Sequence, residues 1–462
     1  MNYHDFLEHK TQLGGYYGFE PIELHPALKD FQADLVTWAL QKGKSAIFAD
    51  TGLGKSLMQL CWADNVARET GRPVIILAPL SVSFQTVQEA EKFGIEAYHS
   101  RDGIIKGNII VTNYEKLHMF NDLDFAAAVC DESGILKGFQ NVRRNEIIHF
   151  MRKMKYRLLC SATPAPNDYV ELGNSSECLG ELGHLDMLRE YFRNKDNDSN
   201  IRPDKWRWRK HIWEGQVWRF KGHAEEPFWK WICSWARAIR RPSDLGYSDD
   251  EFLLPPLIEK DHLVKANNLA DGMLFPLPAI GLSDQREERR RTINERCETV
   301  LDLVTQDDNR QSMCWCDLNE EGDRLEEIIR DGVQISGRDK DEAKEDKFKA
   351  FIKGDVRILI TKPKIGAWGL NMQHCHHVTT FVSNSYESRY QLIRRCYRYG
   401  QKYPVEVDTV HTEGDMKVLE NLKRKGYAAD RMFEQLVRHM NDAIRAEKTE
   451  YKAESITLPS WI

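Results

Sequence analysis

Residues 45–56, SAIFADTGLGKS, constrain this chain more than any other segment. An apolar run of strand length passes into a glycine-rich turn that ends in Lys55 and Ser56 and opens a helical stretch. Gly52 and Gly54 allow backbone N–H groups to turn inward around phosphate oxygens, and the following helix offers its positive end. In such a loop Lys55 reaches the β- and γ-phosphates and Ser56 ligates Mg²⁺, with Thr51 completing the phosphate grip. Ala49 stands where the strict pattern has glycine. The competing reading is a glycine-rich strand-to-helix turn without a ligand.

The surrounding sequence favours the nucleotide reading. SAIFAD (45–50), PVIILAP (73–79), NIIVTN (108–113), FAAAVCD (125–131) and YRLLCSAT (156–163) are short apolar runs, most of them separated by helical stretches. That alternation predicts a parallel α/β sheet, in which functional residues gather at the carboxyl ends of the strands. Asp131 and Glu132 end one strand, the first expected to hold Mg²⁺ and the second to orient an attacking water. Ser161 and Thr163 end another, where short hydroxyls can bond across to the metal site or an adjoining lobe.

Length and composition set outer bounds. The 462 residues suffice for two or three domains. A net charge of −6 gives no global sign of nucleic-acid binding, so any such surface must be local. The ten cysteines have no disulfide-framework spacing, and no apolar run reaches membrane-spanning length, which predicts an intracellular, cytoplasmic protein with reduced thiols.

From about 290 the α/β rhythm resumes: a helix near 285–305, then strands QSMCWC (311–316), GVQIS (332–336) and VRILIT (356–361), with helical stretches between. This second sheet has no phosphate loop of its own. Near its end lies QLIRRCYRYGQ (391–401), where Arg395 and Arg398, three apart, are expected on one helix face. Beside a γ-phosphate they would act as arginine fingers. A basic surface helix is the bland alternative.

Taken in order, these pieces resemble a superfamily 2 helicase, and among those the Swi/Snf-like branch of double-stranded-DNA translocases in the short form common in phages and prophages. LKDFQADLVTWAL resembles the adenine-reading element, ADTGLGKS motif I, APLSVSFQTVQEAEKF motif Ia and VTNYEKL motif Ib. DESGILK resembles motif II, CSATPAPN motif III, ILITKPKIGAWGLNM motif V and QLIRRCYRYGQ motif VI. The resemblance covers roughly residues 28–410. It implies an α/β fold of two RecA-like parallel-sheet lobes with a small Trp/Arg-rich insertion between them. The expected domains are lobe 1 over 1–180, the insertion and interlobe connection over 181–260, lobe 2 over 261–440 and a polar tail over 441–462.

It also implies an ATP- and Mg²⁺-dependent hydrolase that moves along nucleic acid, with DNA favoured and duplex DNA first. Strand separation, action on RNA and slow ATP-gated binding stay open as alternatives, as does a nuclease, replication or recombination partner; a membrane partner is not expected. Gln32 is implied as the adenine contact, and Ser161, Thr163, Gly369, Asn371 and Gln391 as coupling residues. In motif II the branch usually reads DEAH or DEAQ, whereas Ser133 and Gly134 stand here. A glycine cannot hydrogen-bond through a side chain, so coupling would use Ser133 or another residue.

Seven of the twelve tryptophans fall in 205–221 and 229–241, interleaved with Lys and Arg. Trp229, Trp231 and Trp235 are expected in a core. Trp206, Arg207, Trp208 and Arg209 are the candidates for nucleic-acid contact. REERRR (286–291) reads as a solvated helix, with a phosphate contact as the alternative. Cys314 and Cys316, expected on opposite faces of a strand, do not read as a zinc site.

Overall fold

Strands that read as unbroken apolar runs are those buried on both faces of a parallel sheet. The computed structural model, which describes residues 15–137, 142–194, 218–265, 282–363, 365 and 372–450, contains two such sheets. Each lies in its own compact unit: residues up to Ser248 together with those from Ala429 onward, and Asp249–Ala428.

In the first unit, β1 (Lys44–Ala49), β2 (Val74–Ala78), β3 (Tyr98–His99), β4 (Ile109–Asn113), β5 (Ala127–Asp131) and β6 (Tyr156–Cys160) are followed by β7 (Phe192–Asn194), β8 (Trp218–Phe220) and β9 (Ala236–Ile239). Seven of them form a parallel sheet in the order β3-β4-β2-β5-β6-β1-β9, while β7 and β8 pair antiparallel on their own. The order matters for function. It sets β5, β6 and β1 side by side, so the chain segments carrying Asp131, Ser161 and the phosphate loop leave the sheet as neighbours.

The tryptophan-rich segment does not stand apart as an inserted subdomain in its described part. The helix Glu225–Trp235 buries Phe228, Trp229, Trp231 and Trp235 in the same core as Ile75, Leu77 and Leu159, as expected for those three tryptophans. Trp231 stacks on Tyr191 with ring centroids 5.3 Å apart, and Phe192 on Phe220 at 4.6 Å. β9 then joins the sheet beside β1, and Asp50 N donates to Ile239 O at 2.9 Å. Trp206, Arg207, Trp208 and Arg209 lie outside the described residues.

The second unit contains β10 (Leu257–Val264), β11 (Ser312–Trp315), β12 (Gly332–Ile335), β13 (Ile358–Thr361), β14 (His377–Phe381) and β15 (Val405–Thr412) in the order β10-β15-β14-β11-β13-β12, all parallel. Met313, Trp315, Leu359 and Val378 face one core, and Cys314, Cys316, Ile358 and Ile360 face another. Cys314 and Cys316 thus share a face, contrary to the expectation, because side chains two apart on a strand point the same way. The helix expected near 285–305 is two helices, Leu282–Arg291 and Ile293–Val304, broken at Thr292.

The last helix, Met416–Glu450, continues well into the segment expected as a polar tail. Its first residues, Val418, Leu419 and Leu422, pack with Val382 in the second unit. Met432, Phe433, Leu436 and Met440 belong to the core of the first. No helix among the described residues is long and apolar enough to cross a membrane.

Candidate nucleotide site

The loop after β1 bends where the sequence permits it. Gly52 and Gly54 have φ of 87° and 78°, left-handed values that residues with a Cβ avoid. Gly54 is also the N-cap of the helix Lys55–Thr70. A Cβ on Gly54 would stand 2.3 Å from Gln32 Nε2, so the position is closed to larger residues twice over. Lys55 Nζ donates to Ala49 O at 2.8 Å and Asp50 O at 3.2 Å, which folds the ammonium over the hollow of the loop. Thr51 is fixed by its neighbour, its N donating to Asp50 Oδ1 at 2.6 Å. Ser56 follows Lys55 in the first turn of the helix, where a hydroxyl can meet a metal bound to phosphate oxygens.

Gln32 is buried against this loop. Its Nε2 donates to Leu53 O at 2.8 Å and its Oε1 accepts from Lys29 N at 2.8 Å. The side chain implied as an adenine reader thus ties the phosphate loop to the start of the helix Asp30–Lys42.

Asp131 ends β5 and is 5% exposed. Burial, reinforced by the neighbouring Glu132 charge, pushes its carboxyl up to about 6, while a hydrogen bond from Gln59 and the charge of Lys55 oppose the rise. Gln59 Nε2 donates to Asp131 Oδ1 at 2.7 Å, and Glu132 N donates to the same oxygen at 3.1 Å. The Tyr114 hydroxyl donates to Asp131 O from beneath. Sequence reasoning missed both Gln59 and Tyr114. Gln59 was in principle legible, since it follows Ser56 by three residues on one helix and so shares its face.

Glu132 has φ 54° and ψ 57°, the one positive φ outside glycine among the described residues. Ser161 Oγ donates to Glu132 Oε2 at 3.4 Å and accepts from Thr163 N at 3.0 Å. The ends of β5 and β6 are therefore joined side chain to side chain. Gly134 lies buried in the short turn Ser133–Leu136, where its carbonyl accepts from Lys137 N. Ser133 Oγ is buried without a hydrogen-bond partner among the described residues.

The donor set fits Mg²⁺ better than a metal caged by protein alone. Mg²⁺ takes one or two protein oxygens together with phosphate oxygens and water. Asp131 and Ser56 supply such a pair beside a phosphate loop, and the raised Asp131 carboxyl lacks the counter-charge a divalent cation would bring. Among the described residues no group of three or more His, Cys, Asp or Glu side chains is gathered for a metal.

In the second unit the sequence expectation needs one correction. Arg395 lies in the last turn of the helix Tyr386–Cys396, but Arg398 lies beyond its end. The helix stops because Arg395 O accepts from Met372 N at 3.0 Å, and Gln401 Nε2 donates to the carbonyls of Cys375 and Cys396. The two arginines therefore do not share a helix face. Gln391 is half-buried on this helix. Gly369 and Asn371 lie outside the described residues.

These features describe a parallel α/β unit whose glycine-rich loop leads from a strand into a helix, accompanied in the same chain by a second parallel α/β unit. No family model matches the chain. It is similar to the SWI/SNF-related matrix-associated actin-dependent regulator of chromatin subfamily A-like protein 1 of Xenopus laevis, at 26% identity over 157 residues. That match takes in 31% of this chain and 16% of the Xenopus protein, so the chain spans a small part of that relative's length. The solved SWI2/SNF2 ATPase core of Sulfolobus solfataricus in complex with dsDNA aligns with a TM-score of 0.41 at 16% identity, covering 92% of this chain and 96% of that one.

Proposed function

We propose that the chain is an ATP-driven motor of the superfamily 2, Swi/Snf-like kind that moves along duplex DNA. The observation that carries this reading is the gathering of Lys55, whose charge acts on Asp131, with the contacts that run from Asp131 through Glu132 to Ser161. It gathers a phosphate cation, a metal carboxylate, a carboxylate for water and a hydroxyl relay on neighbouring strand ends. A binding module that never hydrolysed its nucleotide would not need the last two.

In this mechanism the glycine turn and Lys55 hold the phosphates, and Gln32 keeps the loop in shape beside the adenine. Mg²⁺, when bound, would supply neutralisation of phosphate charge. Asp131 and Ser56 would hold it, with Gln59 orienting the Asp131 carboxylate. Glu132 orients the attacking water, its backbone held in a strained left-handed conformation just past β5. Arg395 and Arg398 supply positive charge to the γ-phosphoryl group as it departs. Ser161 senses which way Glu132 points and passes that state along the Ser161–Thr163 turn, the role the glycine at 134 cannot play. The resemblance of the motifs to double-stranded-DNA translocases and the similarity to the Xenopus SWI/SNF-related protein are why duplex DNA is named first.

Steady-state ATP turnover with duplex DNA, single-stranded DNA, RNA and no nucleic acid tests the proposal. Stimulation by duplex DNA above the others is expected, and equal rates in all four would overturn it.

A further inference from the structure

Glu132 holds a left-handed backbone, φ 54° and ψ 57°, which a residue with a Cβ keeps only when its surroundings impose it. Those two angles are set by how the peptide groups on either side are turned. On the far side, Glu132 O accepts from Ile135 N at 3.1 Å. On the near side, the Asp131–Glu132 peptide is held at both of its polar atoms. Its N–H donates to Asp131 Oδ1 at 3.1 Å, and its carbonyl, Asp131 O, accepts from the Tyr114 hydroxyl. Asp131 Oδ1 is a shared acceptor, since Gln59 Nε2 also donates to it at 2.7 Å. Tyr114 grips the same peptide from a different strand end.

The fold sets Tyr114 up for that contact. It follows β4 and opens the short turn Tyr114–Met119, whose N-cap Asn113 accepts from Lys116 N at 3.1 Å through Oδ1. β2 lies between β4 and β5, pairing Ala78 with Asn113 on one side and Leu77 with Cys130 on the other. The phenol therefore spans the end of β2 to reach Asp131. Tyr114 is 3% exposed and packs in the core that holds Ile75, Leu77 and Cys130, with its hydroxyl 3.4 Å from Cys130 Sγ. A hydroxyl buried there loses its water, a cost that phenylalanine would avoid while filling the same space. Burial pushes the phenol well above its ordinary value, which keeps its proton in place as a donor.

We propose that Tyr114 is a positioning residue for ATP hydrolysis. Its hydroxyl fixes the Asp131–Glu132 peptide and, through it, the direction in which Glu132 presents its carboxylate. The assignment rests on the ATPase reading above, in which Glu132 orients the attacking water, and it adds a residue that acts through Glu132 rather than on the nucleotide.

Tyr114→Phe removes the hydroxyl and keeps the ring. The test is ATP turnover of the full chain, with and without duplex DNA, resolved into kcat and KM for wild type, Tyr114→Phe, Ser161→Ala and the double variant. Binding of a fluorescent ATP analogue and thermal unfolding midpoints are measured on the same four proteins. Tyr114→Phe should lower kcat on the order of tenfold, with KM and analogue affinity changed by less than about twofold. Ser161 holds the same carboxylate from β6, so the double variant should lose less than the product of the two single losses. A loss equal to that product would separate the two residues and overturn the proposal. So would a raised KM at unchanged kcat, or a fall in turnover no larger than the loss of folded protein. If wild type hydrolyses ATP and Tyr114→Phe matches its kcat, this assignment fails alone. If wild type hydrolyses no ATP, the ATPase reading fails and takes this one with it.

Discussion

Ser161 and Glu132 meet across 3.4 Å, the hydroxyl at the end of β6 donating to the carboxylate just past β5. This contact joins the residue proposed to orient water to the turn that carries Thr163. Neutral–charged hydrogen bonds of this kind are worth roughly 1.5–3 kcal/mol when buried. Ser161→Ala should therefore lower kcat by on the order of tenfold, with little change in KM for ATP, as a positioning residue does. A KM rise with unchanged kcat would make Ser161 part of nucleotide binding instead.

Glu132 separates catalysis from stability. Its left-handed backbone strains any residue with a Cβ. Both Glu132→Gly and Glu132→Ala should abolish turnover, and the glycine variant should be the more stable by about 1 kcal/mol. Chemical denaturation of the pair reads this directly, and an alanine variant as stable as the glycine one would show that the backbone relaxes.

Trp235 is fully buried, with its ring 6.3 Å from Phe48 in edge-to-face contact. Trp235→Ala should cost about 3–5 kcal/mol of stability. A loss of DNA affinity without a loss of stability would instead place this tryptophan on a nucleic-acid surface.

His184 gives the first unit an acid limit. Burial, helped by the Arg144 charge, lowers its imidazole to about 4 from the ordinary 6.5. The folded form therefore resists protonation, so the stability it contributes is full above about 6.5 and is lost as pH falls toward 4. His184→Gln should flatten the stability profile over that window, and an unchanged profile would assign the acid limit to other groups.

Much of the first unit was legible because its strands are buried on both faces and read as apolar runs, as VIILA does in β2. The carboxyl-end rule then pointed to Asp131 and Ser161 without any coordinates. Lateral order was not legible: local sequence says nothing of β9 closing beside β1 more than 180 residues away. The end of the helix Tyr386–Cys396 was missed because a distant backbone group, Met372 N, captures the Arg395 carbonyl. Arg289 was misread for a related reason. A charged run looks solvated until partners such as Asp415, far along the chain, are brought to it.

In the proposed motor, ATP hydrolysis at Lys55 and Glu132 answers to nucleic acid and needs Arg395 and Arg398. ATP turnover with and without duplex DNA, measured for wild type and for Arg395→Ala and Arg398→Ala, tests it most directly. Stimulated wild-type turnover that falls by about 10³-fold or more in each variant, with ATP still bound, is the predicted result. Variants that hydrolyse ATP as wild type does, or a wild-type rate that duplex DNA leaves unchanged, would contradict it.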